Sequence, residues 1–202
     1  MAARPQLFTV GHSNQECAKF IDLLLRHGIT AIADVRSQPY SQYTPQFNRE
    51  ILEQALTQRK VKYVFLGREL GARREERESY VSGQARYDRI RMLPAFLQGL
   101  DRLRRGVAKE RIAMMCSEKD PLTCHRTILV CRELRGEMEI QHILEDGALE
   151  AQAAAETRLL SLMGLPEGDL FHDRGELIER AYDKQALSIA YTEQPAKEGA
   201  PS

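Results

Sequence analysis

The chain has 202 residues, 43% of them hydrophobic, which suits one domain of ordinary size with a sheet buried under helices. Lysine plus arginine equals aspartate plus glutamate, 29 each, so no net field draws the chain to nucleic acid or to an anionic membrane. No apolar run approaches the roughly 20 residues of a membrane span, and the first residues lack the apolar core of a signal peptide, so the expected setting is the cytoplasm.

Residues 7–10 read as a short strand, stopped by Gly11-His12. Ser13 and Glu16 have capping-box spacing and start a helix whose apolar stripe is Cys17, Phe20, Ile21 and Leu24; Gly28 ends it. The nearly unbroken apolar run 29–35 is a second strand, with Asp34-Val35-Arg36 at its end. Pro39 and Pro45 keep 37–46 a loop. Asn48 caps the next helix, with Phe47 and Leu52 at hydrophobic-staple spacing. A third strand covers 61–66. An irregular stretch rich in arginine and glutamate comes next, 67–91, and Pro94 then opens a helix that runs to about Gly106. The fourth strand is 112–116. Asp120 and Pro121 look like the cap and first residue of a helix with Cys124, Thr127, Ile128, Cys131 and Leu134 on one face. Residues 139–144 are a fifth strand and 149–163 an alanine-rich helix.

Five strand–helix alternations predict an α/β fold, a three-layer sandwich around a mainly parallel five-stranded sheet. The expected organisation is one α/β domain over 1–165, a helical extension over 166–191 and a disordered tail over 192–202.

In an open parallel sheet the C-terminal strand ends share one edge, where ligands bind. The unusual polar residues fall there: His12, Asp34, Arg36, Cys116, Glu118 and Asp146. Cys116 closes the fourth strand beside a helix start and the triplet Cys124-His125-Arg126. A helix N-terminus and nearby cations lower a thiol's pKa and make it nucleophilic. The candidate catalytic residues are therefore Cys116, Glu118, His125 and His12. The candidate substrate-binding residues are Asp34, Arg36, Cys124 and Arg126, the arginines because a guanidinium grips phosphate or carboxylate in two places.

Plainer readings stand beside each of these. Cys116 can simply close a strand, and Cys124 lies on the apolar stripe of its helix, as do Cys131 and, in the first helix, Cys17. Arg126 can pair with a carboxylate such as Glu118, Asp34 and Arg36 can form a buried ion pair, and His12 can be a hydrogen-bonded structural residue. The arginines of 67–91, interleaved with Tyr80 and Tyr87, read as a solvated surface or as a lid for phosphate or bases. Four cysteines in a chain this long do not make a disulfide scaffold. No phosphate-loop or dinucleotide glycine signature is present, so no cofactor is named.

Thr9-Val10-Gly11-His12-Ser13, Asp34-Val35-Arg36 with Pro39 and Ser41, Leu66-Gly67 with Leu70-Gly71, Tyr87, and Met115-Cys116, Glu118 and Cys124-His125-Arg126 form an ordered set. In these motifs the chain resembles the domain of unknown function (DUF) 488 family over about 7–147. The resemblance implies an α/β fold, and the family's cysteine, histidine and acidic motifs suggest enzymatic function; no established reaction comes with it. Ala72 departs from the pattern, standing where many members have a second glycine. The segment after about Pro166 lies outside the resemblance.

Three functions are expected of such a chain. The first is a cysteine-dependent transferase or hydrolase that takes an anionic small molecule, with a nucleotide or nucleic acid as one form of it. The second is a non-catalytic module binding nucleic acid or a phosphate ligand. The third is a metal-binding protein using Cys116, Cys124 and His125.

Overall fold

A computed structural model describes residues 4–168 and 170–193. The expected tail therefore lies, from residue 194 on, outside the described residues. The chain runs β1 (Gln6–Gly11), α1 (Cys17–Arg26), β2 (Ala31–Asp34), α2 (Arg49–Gln58), β3 (Lys62–Phe65), a short α3 (Gly67–Leu70), a small hairpin of β4 (Tyr80–Val81) and β5 (Gln84–Ala85), and a short α4 (Tyr87–Ile90). Then come α5 (Pro94–Val107), β6 (Ile112–Cys116), a π-helical turn (Arg126–Cys131) continued by α6 (Arg132–Leu134), β7 (Glu139–Ile143), β8 (Leu149–Ala151), α7 (Gln152–Leu162) and α8 (Arg174–Ile189).

The central sheet has six strands in the order β3-β2-β6-β1-β7-β8. The five expected strands are present and mutually parallel. The sixth, β8, pairs antiparallel with β7. The sequence pattern assigns its residues, 149–151, to the start of the alanine-rich helix. Instead Gly147, at φ +90°, reverses the chain so that they extend the sheet edge before α7 begins.

Helices cover both faces. Phe20, Ile21 and Leu24 of α1, with Leu52 and Leu56 of α2, pack on Phe8, Val10, Ile32 and Met115. On the other face α5, the π turn, α7 and α8 bury Met114, Ile128, Leu159 and Tyr182 with Leu7 and Ile140. Full burial of a Leu or Phe side chain contributes about 1.5–3 kcal/mol, so these two layers hold the fold. The expected staple pair Phe47 and Leu52 is fully buried.

Chain order places the ligand edge. From β1 the chain leaves over one face toward β2 and β3, and from β6 over the other face toward β7. β1 and β6 are neighbours, so their C-terminal ends flank the point where strand order reverses, the usual place for a ligand crevice. Among the described residues no helix is long and apolar enough to cross a membrane.

Three helix starts differ from expectation. Asn48 stands at the start of α2, but its side chain accepts the N–H of Ser41 and caps nothing. Ser13 does not cap α1: the helix begins at Cys17 and Ser13 sits at φ +50°. Its N–H instead donates to the carbonyl of Ser117, beside the bond from the N–H of His12 to the carbonyl of Cys116. The β1–β6 pairing thus continues past both strands. Asp120 does cap, accepting the N–H of Leu122, but it caps only a 3-10 turn, Pro121–Thr123. Cys124 is extended, and the helix proper starts after His125.

Candidate functional site

The crevice is a cleft of about 620 Å³ at the ends of β1, β2 and β6. His12, Arg36, Cys116, Glu118 and His125 line it. Asp34, Cys124 and Arg126 do not: they lie behind its wall, each almost wholly buried. They back the lining residues instead of facing the open space. Asp146 lines a separate depression with Lys119, Glu145 and Arg158.

Cys116, Glu118, Cys124 and His125 form one cluster, with a donor atom from each lying within 4.8 Å of the others. His125 Nε2 is 3.0 Å from the carbonyl of Val35, so that nitrogen carries a proton and donates. Nδ1 then faces the two sulfurs, 3.7 Å from Cys116 Sγ and 4.0 Å from Cys124 Sγ. Cys124 Sγ and Glu118 Oε2 stand 2.9 Å apart and share a proton.

Arg126 explains where the charge sits. Its side chain is 1% exposed, and Nη1 and Nη2 donate to the backbone carbonyls of Glu118 and Lys119, not to the Glu118 carboxylate. Among the described residues Nε has no partner and no carboxylate lies within ion-pair distance. A buried guanidinium without a counter-charge is costly, and the acids beside it are Cys124, Cys116 and Glu118. Burial opposes ionisation of Cys124, but its hydrogen bond with Cys116 and the charge of Arg126 outweigh it and hold this thiol well below the ordinary range. Burial, then the hydrogen bond and charge of Cys124, push Cys116 well above that range. Burial and the Cys124 charge likewise raise Glu118. Burial works against a charged His125, yet its hydrogen bond to Cys124 and that thiol's charge raise it overall. The two thiols thus titrate as one pair that loses its first proton early and its second late.

The neighbouring wall is rigid. Asp34 accepts bonds from Arg36 Nε and Nη2, at 2.9 and 2.6 Å, and from the hydroxyl of Tyr63 at 2.7 Å. Arg36 Nη2 also reaches the carbonyl of Phe47, and Nη1 donates to His12 Nε2 at 3.2 Å. One Nη1–H remains for a ligand. His12 must therefore keep its proton on Nδ1, which donates to the carbonyl of Ser13 at 2.7 Å. Burial and then the Arg36 charge lower His12 to about 4, so the ring is neutral with both nitrogens engaged, stacked 4.3 Å from Phe47. Both nitrogens are thus committed to bonds within the wall.

Two glycines are fixed by close approach. A Cβ on Gly11 would come within 1.9 Å of the carbonyl oxygen of Glu118, the one Arg126 holds. A Cβ on Gly67 would come within 2.0 Å of the carbonyl oxygen of Arg36.

Sequence reasoning missed Tyr40, Tyr43 and Tyr191 and took Arg73 only as one of the arginines of 67–91; all four line the cleft. Tyr40 and Tyr43 sit in the proline-containing loop, where no periodicity marks a facing side, and Tyr191 comes from the far end of the chain. Within the arginine-rich stretch Arg74, Arg77, Arg86 and Arg91 pair with carboxylates; the last three suit a solvated surface, whereas the Arg74 side chain is buried and also holds the carbonyls of Arg68 and Glu69. Arg73 has no such ion pair among the described residues; it stacks over Tyr191 at 4.4 Å.

A family model described as "Domain of unknown function DUF488" matches residues 16–132. The matched span carries Asp34, Arg36 and the whole Cys116–Arg126 cluster, and leaves His12 before it and α7 and α8 after it. No curated protein and no solved structure matches the chain.

Proposed function

Because the chain belongs to the DUF488 family, whose description assigns no reaction, we propose its function from the cleft itself: a cysteine-dependent enzyme acting on an anionic small molecule, as a transferase or hydrolase. The observation that carries this is the buried, carboxylate-free Arg126 behind two thiols, one of which, Cys116, opens on the cleft. Cys116 attacks an electrophilic centre of the substrate. Its proton passes to Cys124 or to Nδ1 of His125, both within reach. Glu118, exposed to the cleft and inclined to keep its proton, protonates the leaving group. Arg36 supplies the spare N–H for the substrate's anionic group. Water or a second substrate then releases the group held on sulfur. We place the protein in the cytoplasm, whose reducing conditions suit four free cysteines.

The test is alkylation of Cys116 by iodoacetamide, followed by mass spectrometry across pH. The charge of Cys124 holds the proton on Cys116, so Cys124→Ser should move the onset of Cys116 alkylation to lower pH. Cys116 alkylation in Cys124→Ser no faster than that of free cysteine near neutral pH rejects the proposal.

One observation favours a second reading, a metal centre. Cys116, Cys124, His125 and Glu118 offer two sulfurs, a nitrogen and an oxygen within 4.8 Å, a donor set suited to zinc, and the other N–H of His125 is already anchored on a carbonyl. A divalent ion with two thiolates and a carboxylate would carry one net negative charge, which Arg126 would balance. Metal analysis of untagged protein separates the readings. A stoichiometric ion would also shield both cysteines from iodoacetamide.

A further inference from the structure

We infer that the cleft takes a nucleoside monophosphate-sized ligand, a flat ring carrying one phosphate; this rests on reading the cleft as the substrate site. Its volume, about 620 Å³, lies within the range of small-molecule sites. The kind of apolar surface it offers decides the class. Four of the chain's seven tyrosines line it, while its aliphatic lining is limited to Ala72 and Ile189. Such walls suit a planar ring, not an acyl chain.

Two of the four rings are presented, while Tyr87 is buried and Tyr191 packs against the core. Tyr43 is 86% exposed and Tyr40 56%. Exposure of this size is not loop looseness, because the loop is tied at several points. Ser41 Oγ accepts the N–H of Tyr43 and of Thr44, Asn48 Oδ1 accepts the N–H of Ser41, and the Tyr40 hydroxyl donates to Glu50. Tyr43 makes no side-chain hydrogen bond among the described residues, so its ring face is available for stacking, the contact by which proteins hold bases irrespective of identity.

Charge completes the match. Arg36 and Arg73 line the cleft, and Glu118 is its sole carboxylate among the described residues, held beside Cys124. Arg36 keeps one free N–H and lies close enough to Cys116 for their charges to interact. Arg73 is exposed and sits over the ring of Tyr191. An anion bound there is drawn toward the thiol and a ring toward the tyrosines. A single phosphate suffices for two arginines.

Isothermal titration calorimetry of the full chain tests this with adenosine 5′-monophosphate, cytidine 5′-monophosphate, inorganic phosphate and adenosine. Both monophosphates should bind, and phosphate and adenosine each at least about tenfold more weakly. Tyr43→Ala should weaken the monophosphates roughly tenfold, within the span measured for ring stacking, and leave phosphate unchanged. Arg73→Gln should weaken monophosphate and phosphate alike. Equal binding by the halves, no binding at all, or indifference to Tyr43→Ala overturns the inference. So does a single-stranded oligonucleotide that binds a hundredfold tighter than the monophosphates. Alkylation of Cys116 in the same protein keeps the two proposals apart: monophosphate binding with an unreactive thiol rejects the enzyme alone, and a reactive thiol without binding rejects the ligand alone.

Discussion

The backbone N–H of Arg126 points at the sulfur of Cys124, 3.4 Å away, at the start of the π-helical turn, while the side chain of the same arginine turns back to hold the loop after Cys116. One residue therefore both stabilises a thiolate and fixes the strand exit beside it. Arg126→Met should remove both at once. The carbonyls of Glu118 and Lys119 lose their donors, at about 1–3 kcal/mol each, so the urea midpoint should fall. The alkylation onset of Cys116 should move to higher pH. An unchanged onset would mean that Arg126 plays no electrostatic part.

Gly11→Ala and Gly67→Ala should each cost more than about 2 kcal/mol in urea unfolding, because the new methyl meets backbone oxygen at 1.9 and 2.0 Å and something must shift. Gly11→Ala should also slow Cys116 alkylation, since the atom struck belongs to the Glu118 loop. Gly136→Ala meets nothing within 4 Å and should be neutral or stabilising by up to about 1 kcal/mol. Equal losses at all three positions would sink the packing argument.

Asp34→Asn should be strongly destabilising, by about 3–5 kcal/mol, since it strips a buried arginine of its ion pair. Tyr63→Phe removes one bond to the same carboxylate and should cost about 1 kcal/mol. The ratio of the two losses is the measurement. Comparable values would show that Arg36, not Asp34, organises this corner.

Acid should unfold the protein in a defined window. His12 is held down to about 4 by burial and then the charge of Arg36, and His142 to about 3 by burial and then the charge of Arg126. Both rings are neutral when folded, whereas the unfolded chain takes up protons below about 6.5. Stability is thus complete above that pH. It falls as pH drops, by up to about 1.4 kcal/mol per unit for each ring, until roughly pH 4 for His12 and pH 3 for His142. His142 accepts from the Thr9 hydroxyl and donates to Gln152. His142→Gln should keep some of that bonding and flatten the curve below pH 6.5; an unchanged slope would assign the effect elsewhere.

Much of the architecture was legible from alternation alone. Apolar runs and strand–helix order located the five parallel strands, and strand ends brought Cys116, Arg36 and His12 to one edge. Position along a strand does not report depth, however. Asp34 and Arg36 are two residues apart, yet the first is sealed in and the second reaches the cleft. Depth also separates the two cysteines, which the spacing of Cys116 and Cys124 could not reveal. The start of α1 misled because Ser13 and Glu16 carry capping-box residues, while tertiary pairing of Ser13 with Ser117 overrode that local preference. The aromatic wall was invisible because loops carry no period.

Helix α8 lies beyond the matched span, yet Ile189 and Tyr191, at and just past its end, form part of the cleft wall. Its earlier turns brace the thiol segment: Glu179 holds Arg132 and Arg135, and Gln185 donates to the carbonyl of Leu122. The cleft wall is thereby shared between the matched span and the stretch after it. Exchanging α8 and the residues after it for another sequence would alter one side of that wall and leave Tyr40, Tyr43 and Arg73 in place, and Glu179 and Gln185 would have to travel with the graft to keep the thiol segment braced.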